Sequence, residues 1–165
     1  MTSIIKVDTI QTAAGGTPTA ASLGISGTGK IGQIVEATTT TELETTSTSF
    51  VDSGFDVTIT PTSTSSKILV MLDIGCVYGS AASNGAVGTI YRNDTTDLSG
   101  GVDIAHFSRV DSSNLFNTMY IQKLDSPNST SAVKYTFYVR SRGGTTIKAP
   151  LNTSFNSFIA MEVLA

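Results

Sequence analysis

The stretch KILVMLDIGCVY, residues 67–78, is the longest apolar run in the chain. It is rich in Ile and Val and follows a Ser-rich segment, which favours a central β-strand covered on both faces. Gly75 interrupts the run and marks a candidate β-bulge. An α-helix is the competing interpretation, because a continuous apolar run does not by itself distinguish the two.

The segments around this run also carry strand signals. Residues 55–60, FDVTIT, alternate strictly between apolar and polar side chains and end at Pro61, as in a half-buried strand. Further strands are predicted over five segments: residues 86–92, 102–107, 114–124, 134–141 and 157–164. Gly143 and Gly144 predict a hairpin turn after the fourth of these, and the last is expected to form a buried edge.

Taken together, these segments predict an all-β protein. About eight strands separated by turn residues are typical of an antiparallel β-sandwich of jelly-roll type. Residues 13–29 are almost all small and lack aromatic side chains, so they cannot build a core. The sequence therefore predicts an extended N-terminal arm, residues 1–30, followed by a β-sandwich domain, residues 31–165.

The arm begins with a cluster of large aliphatic residues that need a partner to cover them. This cluster consists of Ile4, Ile5, Val7 and Ile10. Since the arm has no core of its own, we expect these four side chains to anchor the chain on another protein.

Composition excludes several classes of function. The chain of 165 residues has 10 Lys and Arg against 13 Asp and Glu, so it lacks the basic face of a nucleic-acid-binding protein. No apolar run approaches the ~20 residues of a membrane-spanning helix, so membrane insertion is not expected. One Cys and one His cannot supply a zinc site, and no cofactor motif is present.

Signals for catalysis are weak. His106 and Asp103 form a possible acid–base pair, but no nucleophile motif accompanies them, and a surface or contact role is favoured. The aspartates at 94, 97, 103 and 111 suggest calcium as an alternative, yet their spacing matches no calcium loop and turn aspartates usually cap backbone N–H groups. We therefore expect neither an enzyme nor a metal site.

Aromatic residues are the more informative group. Along residues 134–139 Tyr135 and Phe137 share one face of the predicted strand, and Tyr138 lies on the other. One of these faces is a candidate subunit interface or glycan platform, because Tyr offers both apolar area and a hydroxyl group.

Several segments in order resemble a family of small virion fibre proteins of tailed bacteriophages, common among phages of aquatic bacteria such as cyanophages. The segments are SIIKVDTIQ at 3–11, KIGQIV at 30–35, SFVDSGFDVTITP at 49–61, STSSKILV at 63–70, YIQKLDSP at 120–127, YTFYV at 135–139 and FIAMEV at 158–163. The resemblance spans essentially the whole chain and rests on their order rather than on a catalytic motif.

The resemblance implies a homotrimeric tail fibre located in the virion. Its N-terminal segment would attach to a tail adaptor, the baseplate or the capsid, and its β-sandwich would contact a host surface glycan or protein. Exposed loops are the expected contact surface. The candidate host-contact residues in these loops are Asn93, Asp94, Thr96, Asp97, Arg109 and Asp111.

Two alternatives share the predicted fold. A capsid decoration protein or head fibre would use the same arm to hold capsid subunits and would differ in copy number. A polysaccharide depolymerase would need paired carboxylates about 5–10 Å apart, and no such pair stands out in the sequence.

Overall fold

The computed structural model describes residues 29–80, 85–101, 105–106 and 115–165. The predicted arm and its anchoring residues Ile4, Ile5, Val7 and Ile10 lie outside these ranges, as do Arg109 and Asp111. All regular structure in the described residues is β. The strands are β1 Ile31–Thr39, β2 Glu44–Thr45, β3 Val51–Ile59, β4 Lys67–Gly79, β5 Ala86–Arg92, β6 Thr96–Asp97, β7 Ala105–His106, β8 Leu115–Asp125, β9 Val133–Ser141, β10 Ile147–Lys148 and β11 Asn156–Val163.

These strands form two antiparallel sheets packed face to face, which confirms the predicted all-β sandwich. The larger sheet runs β1-β11-β4-β8, with short β10 and β2 continuing beside the end of β4. The smaller sheet runs β3-β9-β5, with β6 and β7 on the far side of β5. From β3 onward, successive long strands lie in opposite sheets, so the chain crosses the core at each connection.

Alternating side chains from both sheets fill the core. In β3 the odd-numbered residues from Phe55 to Ile59 are buried while the residues between them are exposed, as the sequence pattern predicts. The rings of Phe55 and Phe158 meet edge to face across the two sheets, with centroids 5.6 Å apart. In β9 Tyr135 and Phe137 have no exposed surface, so the predicted shared face is the core face.

The predicted hairpin at Gly143–Gly144 is wrong. β9 belongs to the smaller sheet, whereas the next strand, β10, pairs with β4 and β2 in the larger one. The N–H of Arg142 donates to the carbonyl of Gly85 rather than to a hairpin partner. The glycines therefore lie in a turn that carries the chain from one sheet to the other. Such a connection and a hairpin use the same turn residues, so the sequence does not distinguish them.

The last strand is not an edge. β11 is hydrogen-bonded to β1 along one side and to β4 along the other. The prediction of β4 as a central strand is confirmed, but its coverage on both faces is not. Ile68, Val70, Leu72 and Ile74 are buried, whereas Leu69 and Met71 between them are partly exposed and Asp73 is exposed.

The bulge in β4 is confirmed. The pairing of β4 with β8 shifts register between Ile74 and Val77, around Gly75. A Cβ atom added to Gly75 would lie 2.3 Å from the backbone oxygen of Phe155. The backbone of the loop before β11 thus occupies the space that a side chain would need.

Substitution of Gly75 by alanine should therefore lower the free energy of unfolding by about 1–3 kcal/mol, because the clash is with backbone next to the paired strand β11, which cannot move aside easily. Urea unfolding of the two proteins measures the difference. Cys76→Ala, one residue further along β4, is the matched control and should change stability by less. Equal effects of the two substitutions would contradict the close approach.

One polar group links the two sheets. Asp125 at the end of β8 accepts hydrogen bonds of 2.8 Å from Arg92 at the end of β5 and from the Tyr135 hydroxyl in β9. Burial and the neighbouring Asp125 raise the pKa of Tyr135, so its hydroxyl remains a donor. The charges of Arg92 and Asp125 are thus paired with each other at this end of the sandwich.

Candidate functional site

The predicted contact loop is a tight turn fixed to the smaller sheet. Asn93 and Asp94 have φ angles of 49° and 59°, and the N–H of Thr95 donates to the carbonyl of Arg92. Positive φ at both central residues is the geometry of the turn that best matches strand twist. Lys134 in β9 donates its N–H to the Asn93 side chain at 2.9 Å, and this bond holds the turn against the sheet.

Asp94 projects from this turn over the outer face of β9. Its carboxylate forms an ion pair with Lys134 and accepts a 2.9 Å hydrogen bond from the hydroxyl of Thr136. The bond from Lys134 is the largest cause that lowers the pKa of Asp94. The carboxylate is consequently ionised at neutral pH, exposed, and held in one place.

Asp97 has a local structural role. Its carboxylate accepts bonds from the Thr89 hydroxyl at 2.7 Å and from the N–H and hydroxyl of Ser99. Burial raises its pKa, but the hydrogen bonds from Ser99 and Thr89 outweigh burial and lower it. Asp97 thus shapes the loop, as expected for a turn aspartate, and Thr96 beside it is exposed.

An aromatic cluster lies on the outer face of the smaller sheet, next to this turn. The rings of Tyr91 and Tyr138 are 4.2 Å apart between centroids, and those of Phe50 and Tyr91 are 6.4 Å apart. The Arg140 guanidinium lies over the Phe50 ring, 5.4 Å from its centroid. We call these four residues the aromatic platform. Each of them is partly exposed.

The strand register explains why these residues share a face. Tyr138 pairs with Asp52 of β3 and with Thr89 of β5, and paired residues point to the same side of a sheet. Its neighbours in β9, Phe137 and Val139, point into the core. The predicted placement of Tyr138 opposite Tyr135 and Phe137 is therefore confirmed.

Charged groups surround the platform. Burial raises the pKa of the Tyr138 hydroxyl, and the carboxylates of Asp52 and Asp94 raise it further. Asp56 is exposed on the same face, because it pairs with Thr136. The platform is thus an apolar surface of rings with a rim that is mainly acidic.

A groove opens at one end of the larger sheet. Its volume is about 380 Å³, and it lies against the rings of Tyr78 and Phe116, whose centroids are 5.3 Å apart. Lys148, on its rim, is held by Glu42 at 2.7 Å and Glu44 at 3.3 Å, so its charge is balanced within the protein.

Among the described residues, neither the His106–Asp103 acid–base pair nor the calcium site suggested by the aspartates is seen to form. His106 lies in β7, opposite Val87, and Asp103 is outside the described ranges. Within residues 29–80, 85–101, 105–106 and 115–165, no three His, Cys, Asp or Glu residues are grouped as metal ligands. The same ranges contain no helix long and apolar enough to cross a membrane.

No known protein-family model matches the chain, and no curated protein sequence matches it. The site therefore rests on the geometry described above.

Sequence reasoning missed three members of the platform: Phe50, Tyr91 and Arg140. Phe50 directly precedes β3 and Arg140 lies in β9, and they meet because Val51 pairs with Val139, a register between strands far apart in sequence. The alternation within β9 was sufficient to place Tyr138 outward but not to identify its neighbours.

Proposed function

We propose that this chain is a bacteriophage virion protein, a tail fibre that attaches to the particle through its N-terminal arm and contacts the host surface through its β-sandwich. The aromatic platform is the observation that carries this proposal. Solvent-accessible Tyr and Phe rings beside fixed carboxylates offer stacking area and hydrogen-bond acceptors together, which suits a hydroxyl-rich surface glycan. The resemblance to phage fibre proteins supports the same role.

The rigidity of the platform supports binding rather than catalysis. The rings of Tyr91 and Tyr138 lie on the paired strands β5 and β9, and Phe50 directly precedes β3. The adjacent turn is held by Asn93 and Asp94 through contacts with β9. A preformed surface loses little conformational entropy when a ligand binds. A homotrimer would present three such platforms, and several weak sites on one particle raise the overall affinity by large factors.

Attachment to the particle is assigned to the arm. Ile4, Ile5, Val7 and Ile10 would bury against a tail adaptor, the baseplate or the capsid. The structured sandwich begins at Gly29, whose N–H donates to the carbonyl of Leu164 beside the end of β11. Gly29 thus lies where β1 begins and β11 ends in the larger sheet, whereas the aromatic platform lies on the smaller sheet.

Substitution of Tyr138 by alanine should weaken binding to host cells at least tenfold, because truncation of a central aromatic contact typically removes 2 kcal/mol or more of binding free energy. Binding of the labelled full-length protein to cells that the phage adsorbs to measures this. Phe155→Ala is the matched control, since Phe155 is 71% exposed and lies outside the platform.

Treatment of the cells with periodate distinguishes the receptor class, because it oxidises the vicinal diols of sugars. Loss of binding after treatment indicates a glycan, and unchanged binding indicates a protein receptor. Tyr138→Ala protein that folds normally and binds host cells as strongly as the wild type would contradict the assigned contact site.

A further inference from the structure

The outer face of the larger sheet carries a continuous apolar surface. Four strands contribute one row of side chains across the sheet: Ile34 pairs with Met161, Met161 with Leu69, and Leu69 with Leu124. In the next row, Ile159 of β11 pairs with Met71 of β4. We call these six residues the apolar face.

The apolar face is exposed in the single chain. Ile34 is 60% exposed and Leu124 is 49% exposed, and the other four side chains are partly exposed. Four strands and two rows of outward side chains correspond to roughly 250 Å² of sheet surface. This approaches the size of the largest apolar patches that monomeric proteins expose, and such patches commonly mark interaction sites.

Few charges interrupt this surface. Glu36 is the charged residue in these two rows, and its carboxylate accepts a hydrogen bond of 2.7 Å from the hydroxyl of Ser157. The outer face of the smaller sheet is different, since it carries Asp52, Asp56 and Lys134. The outer face of the larger sheet is thus mainly apolar along these rows, whereas the outer face of the smaller sheet combines the aromatic platform with charged residues.

Charged residues of both signs border the apolar face. Lys67 and Asp73 both point outward from β4 and are exposed, one on each side of the rows that contain Leu69 and Met71. Six residues of extended strand separate them by roughly 20 Å. A surface with an apolar centre and rim charges of both signs can be complementary to a copy of itself.

We infer that the apolar face is the surface through which this chain associates with a second copy of itself. A patch of this size supplies the apolar centre of an interface, and the polar residues around it supply the rim of the roughly 800 Å² that each partner buries in a stable complex. The inference deepens the proposed homotrimer, in which three apolar faces would meet around a three-fold axis, and it rests on the proposed function only for the number of copies.

The test is the association state of the full-length chain and of the double variant Ile34→Lys/Leu124→Lys. Both side chains face solvent in the single chain, so lysine is compatible with the fold but places a charge at each end of the apolar row that forms the proposed contact. The matched control is Thr58→Lys/Thr95→Lys, two exposed positions on the smaller-sheet side. Sedimentation equilibrium gives the mass, and hydroxyl-radical oxidation of Met71 and Met161 reports coverage of the face.

We expect the wild type and the control to be oligomers in which Met71 and Met161 are protected. The Ile34→Lys/Leu124→Lys variant should associate at least tenfold more weakly, with several-fold faster oxidation of both methionines. A variant that remains oligomeric through other segments but loses methionine protection also supports the inference.

Three results would overturn it. They are a monomeric wild type with reactive methionines, a variant that remains oligomeric with unchanged protection, and a monomeric wild type with protected methionines. The last result would assign the apolar face to a segment of its own chain, such as residues 1–28. Host binding through Tyr138 is measured separately, so either proposal can fail without the other.

Discussion

Replacement of Phe158 by alanine is expected to lower the free energy of unfolding by about 3–5 kcal/mol. Phe158 lies in β11, at the centre of the larger sheet, and has no exposed surface. Its ring meets Phe55 of the opposite sheet edge to face. Truncation removes the contact that joins the two layers and leaves a cavity that paired strands on both sides prevent from collapsing.

Phe155→Ala is the matched control for this prediction. It deletes the same atoms three residues earlier in the chain, where the ring is 71% exposed, and should change stability by less than about 0.5 kcal/mol. Chemical denaturation of the two variants measures the difference. Similar losses in both would mean that the core does not lie between β11 and β3.

The second large effect concerns Glu162, a carboxylate buried on the core side of β11. It accepts bonds from the N–H and hydroxyl of Thr62 at 2.7 and 2.8 Å and from the Gln33 amide at 2.8 Å. Glu162 therefore ties the β3–β4 loop and β1 to the central strand of the sheet. Glu162→Gln should destabilise the fold by roughly 2–3 kcal/mol at pH 7, because an amide N–H₂ group replaces one acceptor oxygen among donors.

The same residue predicts a pH dependence. Burial raises the pKa of Glu162, but hydrogen bonds from Gln33 and Thr62 outweigh burial and lower the pKa to about 2, from an ordinary value of 4.5. Its contribution to stability is thus complete above about pH 4.5 and is lost as the pH falls toward 2.

Unfolding measured from pH 7 to pH 2.5 tests whether the contribution of Glu162 to stability falls with pH. The stability difference between the wild type and Glu162→Gln should shrink below about pH 4.5. Glu44→Gln, at an exposed position, is the control and should differ little in stability from the wild type. A Glu162→Gln difference that stays constant down to pH 2.5 would contradict the role assigned to the ionised carboxylate.

The long strands were predictable because each carries its own pattern. Residues 55–60 alternate strictly, and residues 86–92 coincide with β5. The short strands β2, β6 and β10 have two residues each, too few for any period to appear. The course of the chain after Gly144 was mispredicted because turn residues fix a local bend and not the sheet that receives the next strand.

The candidate site was only partly predictable for the same reason. Turn chemistry identified Asn93, Asp94 and Asp97, and the period of β9 placed Tyr138 outward. Sequence alone does not reveal that the Asp97 carboxylate accepts hydrogen bonds from Ser99 and Thr89, since these bonds depend on the loop conformation. The apolar face was not predicted either, because Ile34, Leu69 and Leu124 become neighbours only through strand pairing.

The most direct test of the central claim is the copy number of this protein in purified phage particles, measured by quantitative mass spectrometry against the major capsid protein. A tail fibre that is a homotrimer predicts a few to a few tens of copies, in multiples of three. Hundreds of copies would contradict the tail-fibre assignment in favour of a capsid decoration protein. Absence from the particle would contradict a virion role altogether.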